Sequence, residues 1–131
     1  MTEATRFLPL AGRLMMAAIF VFAGAGKIAA ATGTKAYIAS AGLPLPDVAY
    51  VVAVVVELGG GVLLAIGYRA RMVALALAAF TVVAAIAFHL KAGDQNQTIH
   101  LLKNLAMAGG LLQVVAFGAG AFSLDSRRSR N

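Results

Sequence analysis

The 131-residue chain contains no cysteine and no tryptophan. Without thiols it cannot supply a disulfide, a thiol relay, a thiolate metal site or the ligands of an iron–sulfur cluster. Charged residues make up only 12% of the sequence, whereas soluble domains contain about a quarter, and 61% of the residues are hydrophobic. These deficits argue against an ordinary soluble domain and favour a membrane protein.

Four apolar runs are long enough to cross a bilayer, which takes about 20 residues each. The runs cover about residues 7–29, 48–67, 71–90 and 99–121. Arg13 interrupts the first run, which favours an uncleaved span over a signal peptide. The connections are short, so we predict a single transmembrane domain over residues 1–131. Its last residues, 123–131, are basic and predicted to be a flexible tail.

The predicted fold is therefore all-α, a polytopic bundle of four transmembrane helices. A short interfacial helix is expected over residues 35–41, in the connection between the first two spans. All seven arginines lie at the end of the bundle that holds both termini, and the four lysines lie in or near the first and third connections. Because basic residues concentrate on the cytoplasmic side, we expect both termini in the cytoplasm. The net charge of +6 then reflects membrane orientation and does not indicate nucleic-acid binding.

Glu57 lies near the middle of the second run and is the strongest candidate for a functional residue. A carboxylate at this depth costs roughly 3 kcal/mol to insert, so it is expected to face the bundle interior, protonated or paired with a cation. Lys27 and Lys103 each lie about one turn inside the outer boundary, so one or both can approach Glu57. The structural alternative is an ion pair that only fixes the helix register.

Asn104 and His89 lie at the same outer end of the predicted bundle as the two lysines. We therefore predict an outward-facing polar pocket that binds a ligand. Its members are Glu57, Lys27, Lys103, Asn104 and His89. The alternatives are that the lysines extend to the outer headgroups and that His89 is interfacial.

Arg13 and Gln113 are secondary candidates, on the same helical faces as Lys27 and Lys103. Arg13 is predicted to point into the bundle, although it is also close enough to the cytoplasmic end to extend to the headgroups. No catalytic residue can be assigned, and no metal site is predicted. His89 and His100 flank one short loop, so a buried haem is not expected.

Several short motifs follow one another along nearly the whole chain. They are Arg13 with Ala23-Gly24-Ala25-Gly26-Lys27, Gly42-Leu43-Pro44, Glu57-Leu58-Gly59-Gly60, Gly67-Tyr68-Arg69-Ala70-Arg71, Phe88-His89 and Leu102-Lys103-Asn104-Leu105-Ala106. In their order and spacing these motifs resemble the DoxX family of small four-span membrane proteins.

The resemblance implies a four-helix bundle in the bacterial inner membrane. The wider family includes a membrane subunit of thiosulfate:quinone oxidoreductase, so the resemblance also implies a redox role that depends on other subunits, with quinone as a possible cofactor. The family's recurrent polar positions match Glu57, Lys27, His89, Lys103 and Asn104, which are also the pocket residues predicted from the spans. The absence of cysteine argues against direct sulfur chemistry by this chain.

Three functions are compatible with the sequence. The first is a membrane subunit of a redox system, in which Lys27 and Lys103 hold the oxygens of a quinone or a small anionic ligand. Glu57 or His89 would exchange protons, and a redox partner protein or a bound substrate would supply electrons. The second is a small-molecule carrier or binding protein that works as a homo-oligomer. The third is a non-catalytic membrane scaffold or assembly factor. Membrane lipid is a partner in all three.

Overall fold

The computed structural model describes residues 2–90 and 93–131, and Lys91 of the third connection lies outside these residues. Four helices in it are long and apolar enough to cross a membrane, which confirms the predicted four-span all-α fold. The helices are α1 (Glu3–Ala29), α2 (Ala31–Ser40), α3 (Pro46–Val54), α4 (Gly60–Ile66), α5 (Ala70–Phe88), α6 (Gln95–Phe117) and α7 (Leu124–Ser129). The second span runs over Pro46–Ile66 and comprises α3, a π-helical turn and α4.

Local sequence signals account for the start and end of several helices. The side chain of Thr2 accepts a hydrogen bond from the Thr5 amide at the start of α1, and Asp94 caps α6 in the same way. Pro46 begins the second span, where its missing N–H costs no hydrogen bond. At the other end of α6, Gly118 has φ +82°, a value that ordinary side chains disfavour, and the helix stops at Phe117.

The π-helical turn, Val55–Gly59, lies in the middle of the second span. A π turn adds one residue to a helical turn, so it changes which side chains face the neighbouring helices. Glu57 is the buried residue of this turn, and Gly61 and Leu64 are the buried residues of α4 that follows it. The turn therefore carries a buried carboxylate directly before the buried face of α4.

Small residues allow the helices to pack closely, as is usual in membranes. Alanines on α1 and α5 are fully buried around Leu64, Leu77 and Leu111, which form the centre of the core. By contrast, the outward faces of the spans carry large exposed apolar side chains such as Phe22 and Val83. Small residues inside and large apolar side chains on the surface are what a bundle surrounded by lipid requires.

The helix α1 and the second span approach each other closely at Gly24. A Cβ added there would lie 2.8 Å from both the backbone nitrogen and the Cβ of Leu58, which belongs to the π-helical turn. Gly24→Ala is therefore expected to push the turn away from α1 and to lower the free energy of unfolding by about 2 kcal/mol. The measurement is a denaturation curve in detergent, followed by circular dichroism.

The matched control is Gly26→Ala, two residues further along α1. A Cβ at Gly26 meets nothing within 4 Å, and alanine has the higher helix propensity, so this variant is expected to be neutral or slightly stabilising. Equal destabilisation by the two substitutions would show that the contact with Leu58 is not what limits the packing.

Two predicted segments differ from the structure. The interfacial helix in the first connection begins at Ala31 instead of residue 35, so it includes the Thr-Gly-Thr segment. The segment expected to be a flexible tail forms α7. The carboxylate of Asp125 in α7 accepts hydrogen bonds from the backbone amides of Arg69 (2.7 Å) and Ala70 (2.8 Å), which attaches α7 to the start of α5.

Candidate functional site

An ion pair between Lys27 and Glu57 lies in the half of the bundle away from the two termini. Lys27 Nζ donates to Glu57 Oε2 at 2.7 Å, and Glu57 is only 7% exposed. The Glu57 carboxylate was expected to be either protonated or paired with a cation, and the structure pairs it with Lys27. An ammonium has three donors and a carboxylate two acceptor oxygens, so both groups keep hydrogen-bonding capacity for a third molecule.

Lys27 is held in place from the first connection and the second span. It belongs to the last turn of α1, and the Tyr50 hydroxyl donates to the Lys27 backbone carbonyl at 3.1 Å. Lys35 lies over the Tyr50 ring, 5.1 Å from its centroid, and forms an ion pair with Asp47 at 3.3 Å. The Tyr50 contact fastens the end of α1 to α3, and the Lys35 contacts fasten α2 to α3.

The ion pair lines a cavity of about 520 Å³, which is within the usual range for small-molecule sites. Most of the lining is apolar and comes from all four spans and α2. The polar side chains in the lining are Lys27, Thr34, Tyr37, Glu57, Thr81, His89 and Asn104. A few polar groups in an apolar cavity are typical of a site for an amphipathic small molecule.

The cavity opens at the lipid-facing surface of the bundle. Ile19, Val52 and Val83 line it and are also largely exposed, and each belongs to a different membrane span. The end of the cavity away from the termini is covered by α2, where Ile38 is buried and the Tyr37 ring stacks on Phe88 at 5.1 Å. A lipid-soluble molecule can therefore enter sideways between the spans.

His89 lines the cavity at the end of α5 and is half-buried. Its Nδ1 is 2.6 Å from Gln97 Oε1, and its ring stacks against His100 with 5.2 Å between the centroids. Because an amide oxygen only accepts hydrogen bonds, this contact places a proton on Nδ1. In the neutral ring, Nε2 is then the acceptor.

Four of the five predicted pocket residues line the cavity: Lys27, Glu57, His89 and Asn104. Lys103 does not, contrary to the prediction, because it lies on the exposed face of α6. Gln113 is exposed on the same helix and is also outside the lining. Thr34, Tyr37 and Thr81 also line the cavity, and Gln97 contacts His89. None of the four was predicted, because polarity close to a span was their only signal.

Arg13 is at the opposite end of the bundle from the cavity. It points inwards as predicted, is 1% exposed, and does not extend to the headgroups. Its guanidinium donates to the backbone carbonyls of Leu64 (2.9 Å), Ala65 (2.8 Å), Ala119 (2.9 Å) and Phe122 (2.5 Å). Arg13 therefore joins α1, the end of α4 and the loop after α6, which is a structural role.

Fold and site define a small polytopic membrane protein with a lipid-accessible cavity in the half of the bundle away from the termini. The DoxX family model matches residues 8–90, and the chain belongs to the DoxX family.

The inner membrane protein YqjF of Escherichia coli (strain K12) is 35% identical over 119 residues, which cover 88% of each chain. The inner membrane protein YphA of the same organism is 34% identical over 125 residues, 92% of this chain and 89% of the relative. No solved structure matches significantly. The chain is thus an integral inner-membrane protein.

Proposed function

We propose that the chain is the membrane subunit of a redox system and that its cavity binds the ring of a quinone. The observation that carries this proposal is an apolar cavity, open towards lipid, with the Lys27–Glu57 ion pair in its wall. A quinone travels within the bilayer and carries carbonyl oxygens on an apolar ring. It therefore matches both the entry route and the mixed lining of the cavity.

Within this proposal Lys27 holds one quinone oxygen. Its ammonium uses one donor on Glu57 and has others for a carbonyl. Asn104 and His89 line the same cavity and are the groups available to the second oxygen. The apolar side chains of α3 and α5, such as Val52 and Val83, would contact the ring or the start of its isoprenoid chain.

Reduction of a quinone to a quinol takes two electrons and two protons. Glu57 and His89 are the side chains placed to exchange protons with the quinone oxygens, since both line the cavity and both can bind and release a proton. A redox partner protein supplies the two electrons, and this chain provides the quinone site.

The test is to purify the protein in mild detergent and to quantify extracted quinone by mass spectrometry. Glu57→Gln keeps the shape of the side chain but removes the charged partner of Lys27. Hydrogen bonds to charged groups contribute roughly 1.5 kcal/mol or more, so quinone recovery should fall about tenfold. Glu3→Gln, an exposed carboxylate in α1, is the matched control and should retain the quinone.

Two results would contradict the proposal. One is the absence of quinone from wild-type protein prepared from quinone-containing membranes. The other is equal recovery from Glu57→Gln and Glu3→Gln. Circular dichroism of both variants would confirm that each retains its helices.

A further inference from the structure

A second cavity, of about 650 Å³, lies at the opposite end of the bundle from the ion pair. It is formed where α5 begins and α6 ends, together with the loop after α6 and helix α7. Arg69 and Arg71 line it from the side of α5, and both are exposed. The proposed quinone site uses none of these residues.

This end of the described chain is strongly basic. It holds all seven arginines and two of the five carboxylates, Glu3 and Asp125. Asp125 lines the cavity, but both of its oxygens accept hydrogen bonds from backbone amides at the start of α5. Its charge is thereby offset by the positive end of that helix. The cavity therefore retains an excess of positive charge.

Arg71 is held in a fixed position in the cavity wall. Its Nη1 donates to the carbonyls of Val115 (2.9 Å) and Ala116 (2.6 Å) at the end of α6. The guanidinium lies against the backbone of Gly118, where an added Cβ would be 3.3 Å from Nη2. Both hydrogen bonds use the same nitrogen, so Nη2 and Nε can still donate to an anion.

Two exposed apolar side chains lie beside these guanidiniums. Met72 is 69% exposed and Phe117 is 78% exposed, and both line the cavity at the ends of membrane-spanning helices. Phosphate oxygens recognised by arginine and acyl chains packed on apolar side chains are the two parts of a phospholipid. Basic pockets between transmembrane helices are suited to anionic headgroups.

We infer that this cavity is a binding site for an anionic phospholipid. Arg69 and Arg71 hold the phosphodiester, while Met72 and Phe117 contact the first part of the acyl chains. The surrounding bilayer supplies such lipids, and the charge of the cavity selects them over zwitterionic ones. The inference does not depend on the proposed quinone site, because the two cavities lie at opposite ends of the bundle.

The test is lipid titration of the delipidated protein by native mass spectrometry. Phosphatidylglycerol should bind about tenfold more tightly than phosphatidylethanolamine.

Arg69→Gln should weaken phosphatidylglycerol binding about five-fold. This variant keeps the backbone amide that bonds Asp125. Arg130→Gln makes the same charge change outside the lining and should leave affinity unchanged. Phe117→Ala should weaken lipid binding at least about two-fold, because apolar contact is lost.

Three results would overturn the inference. The first is equal affinity for the two phospholipids, and the second is an equal loss in Arg69→Gln and Arg130→Gln. The third is binding of inorganic phosphate as tight as that of phosphatidylglycerol, since a free anion would then be sufficient. Circular dichroism melting of each variant separates loss of the site from loss of the fold.

Discussion

Replacing Arg13 by methionine is expected to abolish stable folding of the bundle. The guanidinium is buried and donates to four backbone carbonyls, which belong to the end of α4 and to the loop after α6. A buried acceptor that loses its partner costs roughly 1–3 kcal/mol, so the expected loss is about 4 kcal/mol or more. A loss of this size approaches the whole stability of a small domain.

The measurement is unfolding in mixed micelles of mild detergent and dodecyl sulfate, followed by circular dichroism. Arg6→Met is the control, because Arg6 is exposed and its ion pair with Glu3 is long, at 3.4 Å, so the change should be within about 0.5 kcal/mol. Arg13→Lys should be intermediate, since an ammonium lacks the planar fork that reaches several carbonyls. Similar unfolding curves for Arg13→Met and the wild type would show that these hydrogen bonds contribute little.

Replacing Lys27 by methionine is the second substitution expected to have a large effect. It leaves the buried Glu57 carboxylate without its cation, and breaking such a pair is expected to cost about 3 kcal/mol. The double variant Lys27→Met/Glu57→Gln should recover most of this loss, because the uncompensated charge is then removed. The measurement is the same micelle unfolding curve, taken for both single variants and the double variant.

Lys103→Met provides the matched control, since it removes a lysine from the exposed face of α6 and should change stability little. Additive effects of the two substitutions at Lys27 and Glu57 would show that the ion pair contributes no coupling. A loss in Lys103→Met as large as that in Lys27→Met would place the cation of Glu57 on α6 instead of α1.

The main features of the fold could be predicted because they depend on apolar length and little else. Four apolar runs predict four spans, and a carboxylate within one of them predicts burial with a partner. The inward face of α1 could also be predicted, because Arg13, Phe20 and Gly24 share it, and all three are buried.

Helical phase decides between the two candidate lysines, because the prediction placed two adjacent residues of α6, Lys103 and Asn104, in one pocket. Adjacent residues on a helix point about 100° apart, so Lys103 and Asn104 cannot both face the cavity. Two buried residues of α6, Ala108 and Leu111, share the face of Asn104. Lys103 therefore had to point outwards, and Lys27 remained as the partner of Glu57.

Other features left no local signal in the sequence. Asp125 caps a helix that begins 55 residues earlier in the chain, so its polar surroundings suggested only a flexible tail. The covering of the ion-pair cavity by α2 depends on the stacking of Tyr37 with Phe88, which are also distant in sequence. The π-helical turn has no residue type that marks it, because Val55–Gly59 is as compatible with an α-helix as its neighbours are.

That turn also separates the second span into two helical sections with different roles. The section Pro46–Val54 contributes to the ion-pair cavity, and the section Gly60–Ile66 contributes to the core beside Leu77. Because a π turn accommodates one extra residue, converting it to an α-helix with every residue kept would rotate one section by about 100° against the other. Glu57 could then turn away from Lys27 although both residues were retained. A comparison of homologous spans by residue identity alone would miss such a change. A shift of helical phase between the two sections would instead mark an altered binding site.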